Sequence, residues 1–477
     1  MNHDSTTADS ITAGDPGSPE RPLSDAIVVI WSREDAAHVG DALLVPRERD
    51  GRSFVFGRGT GDEGRRERLH LVRQRPGANQ ETAPLVTPQL SRVQWIVRRH
   101  PDGGVEIENA GKRELLFQGK PVTRVRPRPG DVVEIGGQLV FVCTERPLLI
   151  PAMRVTDRRL WPAFGAADAF GYVGESPEAW RLRDELGVVA KRSEHVLVLG
   201  ESGVGKELVA QALHALSGRA GRKLVSRNAA TVPAGLIDAE VFGNAPNYPN
   251  AGMPERPGLV GEADGGTLYL DEVGELPVEL QTHFLRLLDD GDYQRLGDAR
   301  RRTANLRVFA ATNRPVGQLR ADVVARFPIR IQAAGLHARR EDVPLVAKHL
   351  LERLQAADDV ARHREPARLS KELVVALTQH LYSTHVREMR SILFRALLES
   401  AGPVVELTAG ARELLFGPSL APDPPREVTR EVTREDVVRA LARHDGVRER
   451  AWRDLGLPSR HVLKRLMQRY AIGDDDA

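Results

Sequence analysis

Apolar and polar positions divide the chain into regimes of different period. From residue 25 to 147 the apolar residues come in short runs, "AIVVIW", "ALLVP", "SFVFGRG", "LHLVRQ", "VQWIVRRH", "GVEIEN", "ELLFQG", "DVVEIGG" and "QLVFVC", separated by Gly, Pro or Asp. Runs this short at regular spacing, with almost no helical periodicity, predict an all-β sandwich. From 171 to 341, near-continuous apolar runs ("VLVLG", "TLYLDE", "LRVFAATN") alternate with helical patterns. Strands apolar on both faces predict a parallel sheet covered by helices, an α/β domain. The pattern is helical only from 342 to 416, and helical and basic from 434 to 472. Residues 1–24 are polar, rich in Gly and Pro, and predicted to be disordered. Segments 148–170 and 417–433 read as linkers, the second holding a tandem REVT too short for a repeat architecture.

Composition adds bounds rather than chemistry. At 477 residues the chain exceeds one hydrophobic core, and its length suggests about three domains. Apolar residues at 41% and charged residues at 28% are ordinary for a globular protein. The net charge of +2 leaves any nucleic-acid binding to a local basic surface. The lone Cys143 cannot form an intramolecular disulfide and reads as a buried strand residue. With no apolar run of about 18 residues and no basic-then-apolar leader, a cytoplasmic protein is expected.

The strongest chemistry lies in "VLVLGESGVGKELVAQALHAL". Gly200, Gly203, Gly205 and Lys206 stand between a buried strand and an amphipathic helix in the spacing G-x-x-x-x-G-K, with Glu201, Ser202 and Val204 between them and Glu207 where Ser or Thr usually stands. Such glycines turn backbone N–H groups toward phosphate oxygens at a helix N-terminus, and the lysine adds a fixed positive charge. Further on, "GGTLYLDEVGELP" ends a strand in Asp271-Glu272. In that position Asp271 would hold the water shell of a Mg²⁺ ion and Glu272 would polarise an attacking water. "LRVFAATNRP" ends another strand with Thr312-Asn313, polar groups suited to sensing a γ-phosphate, and "QLRADVVAR" puts Arg320 and Arg326 on a helix.

"GESGVGKE", "GGTLYLDEVGELPVELQTHFLRLLDDGDYQRLG", "RVFAATNRP" and "RREDVPLVAKHLL", in that order, resemble the AAA+ ATPase domain of bacterial enhancer-binding proteins, the sigma-54-dependent activators. The resemblance covers residues 171–400. It implies ATP hydrolysis in a ring homo-oligomer whose sites lie between neighbouring subunits. It further implies that Arg320 and Arg326 are arginine fingers, that Asn228 restrains the catalytic glutamate, that Arg387 is the lid arginine and that Val173-Gly174 pack on adenine. The lid motif departs from the family's W-P-G-N-V-R-E-L, reading "YSTHVREM" here, and one residue is missing after Arg326.

The first domain resembles a forkhead-associated domain, through "FVFGRG", "LSRVQW", "VEIENAGKRELLFQGKPV" and "PGDVVEIGG". Such domains bind phosphothreonine peptides with loops at one end of a sandwich. By resemblance, Arg58, Ser91 and Arg92 would hold the phosphate, while Gln94 replaces the signature histidine and Arg113 stands near the usual asparagine. A sandwich that persists without peptide binding stays open as the alternative.

At the C-terminus, "EDVVRALARHDGVRERAWRDLGLPSRHVLKRLMQRYAI" predicts three helices around Val438, Leu441, Ala451, Leu455, Val462, Leu463 and Leu466. Residues 426–470 hold 12 Arg or Lys against 7 Asp or Glu. Ser459 would cap the last helix, which presents Arg460, His461, Lys464, Arg465, Gln468 and Arg469. A basic helix of this kind suits a major groove, and the segment resembles the Fis-type helix-turn-helix that ends many enhancer-binding proteins.

One loop breaks the pattern. Where the activator family carries Gly-Ala-Phe-Thr-Gly-Ala, whose Phe and Thr touch sigma-54, this chain has Asn247-Tyr248-Pro249-Asn250-Ala251-Gly252 after "EVFG". Proline offers no aromatic contact and stiffens a loop that must swing. The expectation is therefore an ATP-binding, DNA-binding regulator steered by a phosphothreonine protein, with weak or absent remodelling of sigma-54 RNA polymerase. A DNA-binding regulator that has left sigma-54 behind, and a phosphopeptide adaptor with residual ATPase activity, remain as alternatives.

Overall fold

Strand β1 (Leu23–Ser32) shows how the N-terminal region is built. Its side chains alternate, so Ile27 and Val29 enter the core of a sandwich while Val28 and Ile30 face the other way. The remaining sandwich strands are β2 (Ala42–Leu44), β3 (Ser53–Phe56), β4 (Val72–Arg75), β5 (Ala78–Glu81), β6 (Trp95–Arg99), β7 (Val105–Asn109), β8 (Leu115–Phe117), β9 (Lys120–Val122), β10 (Arg124–Val125), β11 (Val132–Ile135) and β12 (Leu139–Pro147). They form one sheet in the order β5-β4-β2-β1-β12-β11-β8-β9 and a second in the order β10-β7-β6-β3. Phe56, Trp95 and Phe141 meet at ring-centroid distances of 5.0–5.8 Å between the sheets. Cys143 is buried in β12, as its apolar neighbours predict.

The computed structural model describes residues 23–46, 52–62, 64, 66–100, 104–357, 367–417, 433–444, 448–455, 457, 460–470 and 472. The predicted disordered terminus up to residue 22, most of the second linker and Ser459 lie outside the described residues. The chain divides into two units, Met1–Leu415 and Phe416–Ala477.

The segment expected to be a linker, 148–170, is instead packed. Ile150 and Leu160 are buried, and Leu160 joins the core beneath the α/β sheet. Helix α1 (Pro177–Val189) follows, begun by Ser176, whose hydroxyl accepts from the Ala179 N–H, and by a proline at the first turn. The sheet uses β13 (Val196–Leu199), β14 (Leu224–Asn228), β15 (Thr267–Asp271), β18 (Arg307–Thr312) and β19 (Ile329–Gln332), all parallel, in the order β14-β15-β18-β13-β19. Between them run α2 (Lys206–Leu216), α3 (Ile237–Phe242), α4 (Gly258–Glu262), α5 (Val278–Asp290), the small pair β16 (Asp292–Tyr293) and β17 (Arg302–Thr303), and α6 (Ala321–Ala325). Both sheet faces are covered. Leu197, Leu268, Leu270, Val308 and Ala310 pack with Leu280 and Phe284. Val196, Val198, Tyr269, Phe309 and Ala311 pack with Val209 and Leu213.

The following region is helical as expected, apart from one parallel two-residue pair, β20 (Arg368–Leu369) with β21 (Val404–Val405). Its helices α7 (Val343–Ala357), α8 (Lys371–Gln379), α9 (His385–Glu399) and α10 (Ala409–Phe416) share a core with Leu351, Leu377, Met389 and Leu393. The outer face of β1 is buried against this lid, where Val28 and Ile30 cluster with Val374 and Leu369. Trp31 Nε1 donates to Leu369 O at 3.2 Å, and Lys371 Nζ lies 2.9 Å from Glu134 Oε1. Deeper in, Arg146 is 3.3 Å from Glu341, both almost fully buried. Burial pushes the Glu341 carboxyl up to about 7, with Arg146 pulling the other way.

The second unit contains α11 (Arg434–Arg443), α12 (Arg448–Asp454) and α13 (Arg460–Arg469). Thr433 and Asp436 form a capping box at the start of α11. Its core holds Leu441, Ala451 and Leu463 as expected, but Val437 rather than Val438 is the fully buried valine, and Val462 stands outside it. Leu455 and Leu466 are partly buried. Among the described residues no helix is long and apolar enough to cross a membrane.

Removing the Arg146 side chain leaves Glu341 buried without its partner. Arg146→Ala is expected to lower stability by about 3–5 kcal/mol, read as a fall in the urea midpoint of the full-length protein. The double variant Arg146→Met with Glu341→Gln is expected to recover much of it.

Candidate functional site

Parallel strands bring their C-terminal ends to one edge of a sheet, where the loops that follow them form a crevice. Here the register pairs Asn228 with Asp271 and Leu199 with Thr312, so the ends of four strands lie side by side. The loop after β13 bends back into α2 through Gly203 at φ +80° and Gly205 at φ +104°. A side chain at either position would be strained, and at Gly203 a Cβ would stand 2.1 Å from the Thr384 carbonyl. Lys206 opens α2 and is 6% exposed. Its Nζ donates to Gly200 O at 3.0 Å and Glu201 O at 3.4 Å, and lies 3.5 Å from Glu272 Oε1.

A cleft of about 640 Å³ opens beside this loop. Of the residues expected from sequence, Val173, Ser202, Gly203, Val204, Gly205, Lys206, Glu207, Asn228, Asp271, Glu272 and Arg387 line it. Gly200, Glu201, Gly174 and Asn313 adjoin it through the main chain or through Glu272. Glu272 takes a left-handed conformation at φ +53°, uncommon for a residue with a side chain. Its Oε2 accepts from the Asn313 N–H at 3.3 Å and its own N–H donates to Asp271 Oδ1 at 3.0 Å. Asn228 Oδ1 accepts from the Ala230 N–H at 2.9 Å and so caps its own turn. Arg387 Nη1 donates to Ser202 Oγ at 3.2 Å. A carboxylate pair, a buried lysine and a glycine-shaped loop on one cleft can hold a polyphosphate and activate water.

Arg320 and Arg326 do not reach this cleft. Arg320 pairs with Asp322, and Arg326 lies 2.9 Å from Asp289. Both are partly exposed and flank α6, Arg320 as its N-cap and Arg326 as its C-cap.

Sequence reasoning assigned no role to Arg339, His349, Arg353 and Arg390, which also line the cleft. Arg339 Nη1 donates to Val173 O at 2.8 Å while its guanidinium covers the Tyr172 ring at 4.6 Å. Asp342 accepts from Glu175 N at 2.7 Å, Ser176 N at 2.9 Å and Ser176 Oγ at 2.6 Å. The stretch "RREDVPL" carried the signal, in four charges just before an apolar helix face.

The rewritten loop is organised by a residue that its motif does not contain. Asn244, 3% exposed, donates from Nδ2 to Ala245 O at 3.0 Å, Tyr248 O at 3.3 Å and Pro254 O at 3.0 Å. Asn247 N–H donates to Met253 O at 2.8 Å, and its Oδ1 accepts from Gly252 N at 2.8 Å. Tyr248 packs on Gly297, where a Cβ would lie 2.4 Å from its ring. Pro249 and Asn250 stay exposed at the tip.

In the sandwich, Arg58 and Ser91 are joined by a hydrogen bond from Arg58 N to Ser91 O at 2.9 Å, and Ser91 Oγ accepts from Lys112 N at 2.9 Å. Arg92 is exposed beside them. Gln94 is buried, its Nε2 donating to Asn109 Oδ1 at 2.9 Å and Arg113 O at 2.8 Å, so it ties the neighbouring loop in place. In the second unit Lys464 is exposed on α13, whose backbone also carries Arg460, His461, Arg465 and Arg469.

Comparison with known proteins gives the same reading of the central region. Residues 172–330 match the sigma-54 interaction domain, and residues 337–417 match the AAA+ ATPase lid domain. The chain is 37% identical over 333 residues to the nitric oxide reductase transcription regulator NorR1 of Cupriavidus necator, covering 63% of this chain and 64% of that protein. It is 32% identical over 313 residues to the transcriptional regulatory protein ZraR of Escherichia coli, covering 63% and 69%. It is 34% identical over 308 residues to the Nif-specific regulatory protein of Azotobacter vinelandii, covering 62% and 58%. The chain thus spans a little under two thirds of the first of these relatives.

Asn244→Ala removes the two Nδ2 hydrogens shared among three carbonyls at a buried site and leaves those carbonyls without that partner. It is expected to cost about 1–3 kcal/mol locally, seen as faster proteolysis within residues 244–256 while the melting of the rest is unchanged.

Proposed function

This chain belongs to the sigma-54-dependent transcription regulators, and from that premise we propose that it is an ATP-hydrolysing, DNA-binding regulator of transcription. The observation that carries the reading is the convergence of Lys206, Asp271, Glu272 and Arg387 on one cleft beside the left-handed glycines 203 and 205. The donor set fits a magnesium nucleoside triphosphate. The loop amides and Lys206 would hold the phosphates, Val173 and Gly174 the base, and Asp271 the ion through water. When bound, the nucleotide supplies the phosphoanhydride bond whose hydrolysis powers the protein.

The chain's own groups divide the remaining work. Glu272 orients a water and takes its proton, and the Asn313 amide keeps that carboxylate aimed. Lys206 places a positive charge at the loop, and Arg387 adds a second cation from the lid, bonded to Ser202 Oγ. Arg320 and Arg326, standing away from their own cleft, suit a ring in which each reaches the site of a neighbouring copy. The basic helix α13 supports DNA binding by the second unit. Arg58, Ser91 and Arg92, gathered at one end of the sandwich, support a phosphothreonine site that steers the regulator.

The exposed Pro249 and Asn250 favour a regulator that engages sigma-54 weakly or not at all, because they replace the Phe and Thr of the family's loop, and the neighbouring Tyr248 ring packs on Gly297. Open-complex formation with sigma-54 RNA polymerase and ATP is expected to be weak or absent. Robust ATP-dependent activation would overturn this part of the reading.

Glu272→Gln is expected to cut the ATPase rate by about a hundredfold or more while ATP binding persists, measured by phosphate release and equilibrium binding. Equal rates would remove Glu272 from its role. Arg58→Ala is expected to abolish binding of a phosphothreonine peptide library. No binding by the wild type would make the sandwich a docking domain only.

A further inference from the structure

Three successive residues of the lid dock on the phosphate loop. Val386 N–H donates to Gly203 O at 3.2 Å, Arg387 Nη1 donates to Ser202 Oγ at 3.2 Å, and His385 Nε2 lies 2.8 Å from Glu201 Oε2. The turn is braced from its own helix. Glu388 accepts from Ser383 N, Ser383 Oγ and Thr384 N, and pairs with His380. Burial raises the Glu388 carboxyl, but these bonds outweigh it and hold the pKa at about 2.

His385 stands where the family's lid motif has asparagine. Its side chain is buried, and its backbone is left-handed at φ +42°. Leu336 N–H donates to Nδ1 at 3.2 Å. That bond settles the tautomer, because an accepting Nδ1 puts the neutral ring's proton on Nε2, aimed at Glu201. Glu201, His337 and His385 offer ligand atoms within 4.8 Å of one another. A cation there would need the Nε2 lone pair, which the Leu336 bond has assigned to a proton. The cluster is therefore built for a hydrogen bond and not for a metal.

We propose that His385 is a positioning residue that latches the lid to the phosphate loop through Glu201, and that the latch opens when the imidazole takes a second proton. The proposal rests on the nucleotide-binding reading of the cleft, whose loop and lid arginine it aligns. A doubly protonated ring donates at both nitrogens, so Nδ1–H would confront the Leu336 N–H. The groups facing the ring are Glu201 from the phosphate loop, and His337 and Arg339 from the turn before α7. Burial lowers the His385 pKa from 6.5, Glu201 opposes this, and His337 and Arg339 add to it. A histidine so lowered keeps the latch intact at pH 6.5 and above and loses it only as pH falls through its lowered pKa, below 6.5.

Hydrogen exchange of the full chain without nucleotide, corrected for intrinsic rates, tests the latch. The Val386 amide is expected to exchange roughly three- to tenfold faster in Glu201→Ala at pH 7.5, and in the wild type at pH 5.5. His385→Gln keeps a donor near Nε2 without titrating and is expected to hold its protection at both pH values. Unchanged exchange in Glu201→Ala overturns the proposal, as does an acid response that survives His385→Gln or vanishes in His349→Gln. Fluorescent ADP supplies the second readout, with affinity falling severalfold in acid for the wild type but not for His385→Gln. An equal fall in both would also overturn the latch. If the wild type binds no nucleotide at pH 7.5, the nucleotide reading fails, while exchange at Val386 still decides the latch.

Discussion

Charge removed from water must be paired, and one knot of buried charge sets the geometry of the first unit. Asp342 sits at its centre, fully buried, taking three hydrogen bonds from Glu175 and Ser176 with Arg339 at 3.6 Å. These bonds pin the segment from Val173 to Ser176 onto the start of α7. Gly174 is required there, since a Cβ would stand 2.5 Å from the Asp342 carboxylate. The part of the cleft wall that holds Val173 is thus shaped by a carboxylate outside the cleft lining.

The same knot carries the sandwich. Glu341, next to Asp342, is paired with Arg146 of β12, and Glu175 is paired with Arg75 of β4 at 3.1 Å. Arg75 also lies over the Trp180 ring at 5.0 Å. Moving the sandwich off the lid would strip two buried carboxylates of their partners and expose Val28 and Ile30. Sandwich, cleft wall and lid are therefore joined by the same buried ion pairs and apolar contacts.

The legible elements were those whose signal is local. "VLVLG" and "TLYLDE" read as doubly covered strands because both faces are apolar, and the glycine spacing before Lys206 announced its own backbone geometry. Less legible were residues whose partners are distant in the chain. "AIVVIW" read as a sandwich strand, yet its unbroken apolar run also carried a second buried face, whose partner Val374 is more than three hundred residues away. The segment at 148–170 was read as a linker because its apolar residues follow no period, although Leu160 is fully buried. In the small C-terminal core Leu441, Ala451 and Leu463 are buried as the helical pattern predicts, while of the "VV" at 437–438 the first is fully buried and the second only partly, since adjacent valines fit either side of one face.

By itself the sequence determined the parallel sheet, the two-sheeted sandwich, the glycine loop before Lys206 and the acidic pair at a strand end. Periodicity and motif spacing act over a few residues, so they survive without tertiary information. Only the tertiary structure decided that Arg339 and Asp342 build the cleft wall, that Asn244 holds the rewritten loop, and that His385 meets Glu201. The bonds of Arg339, Asp342 and His385 join residues more than 160 positions apart and exist only once the chain has closed. Those of Asn244, though local, follow no period that a sequence displays.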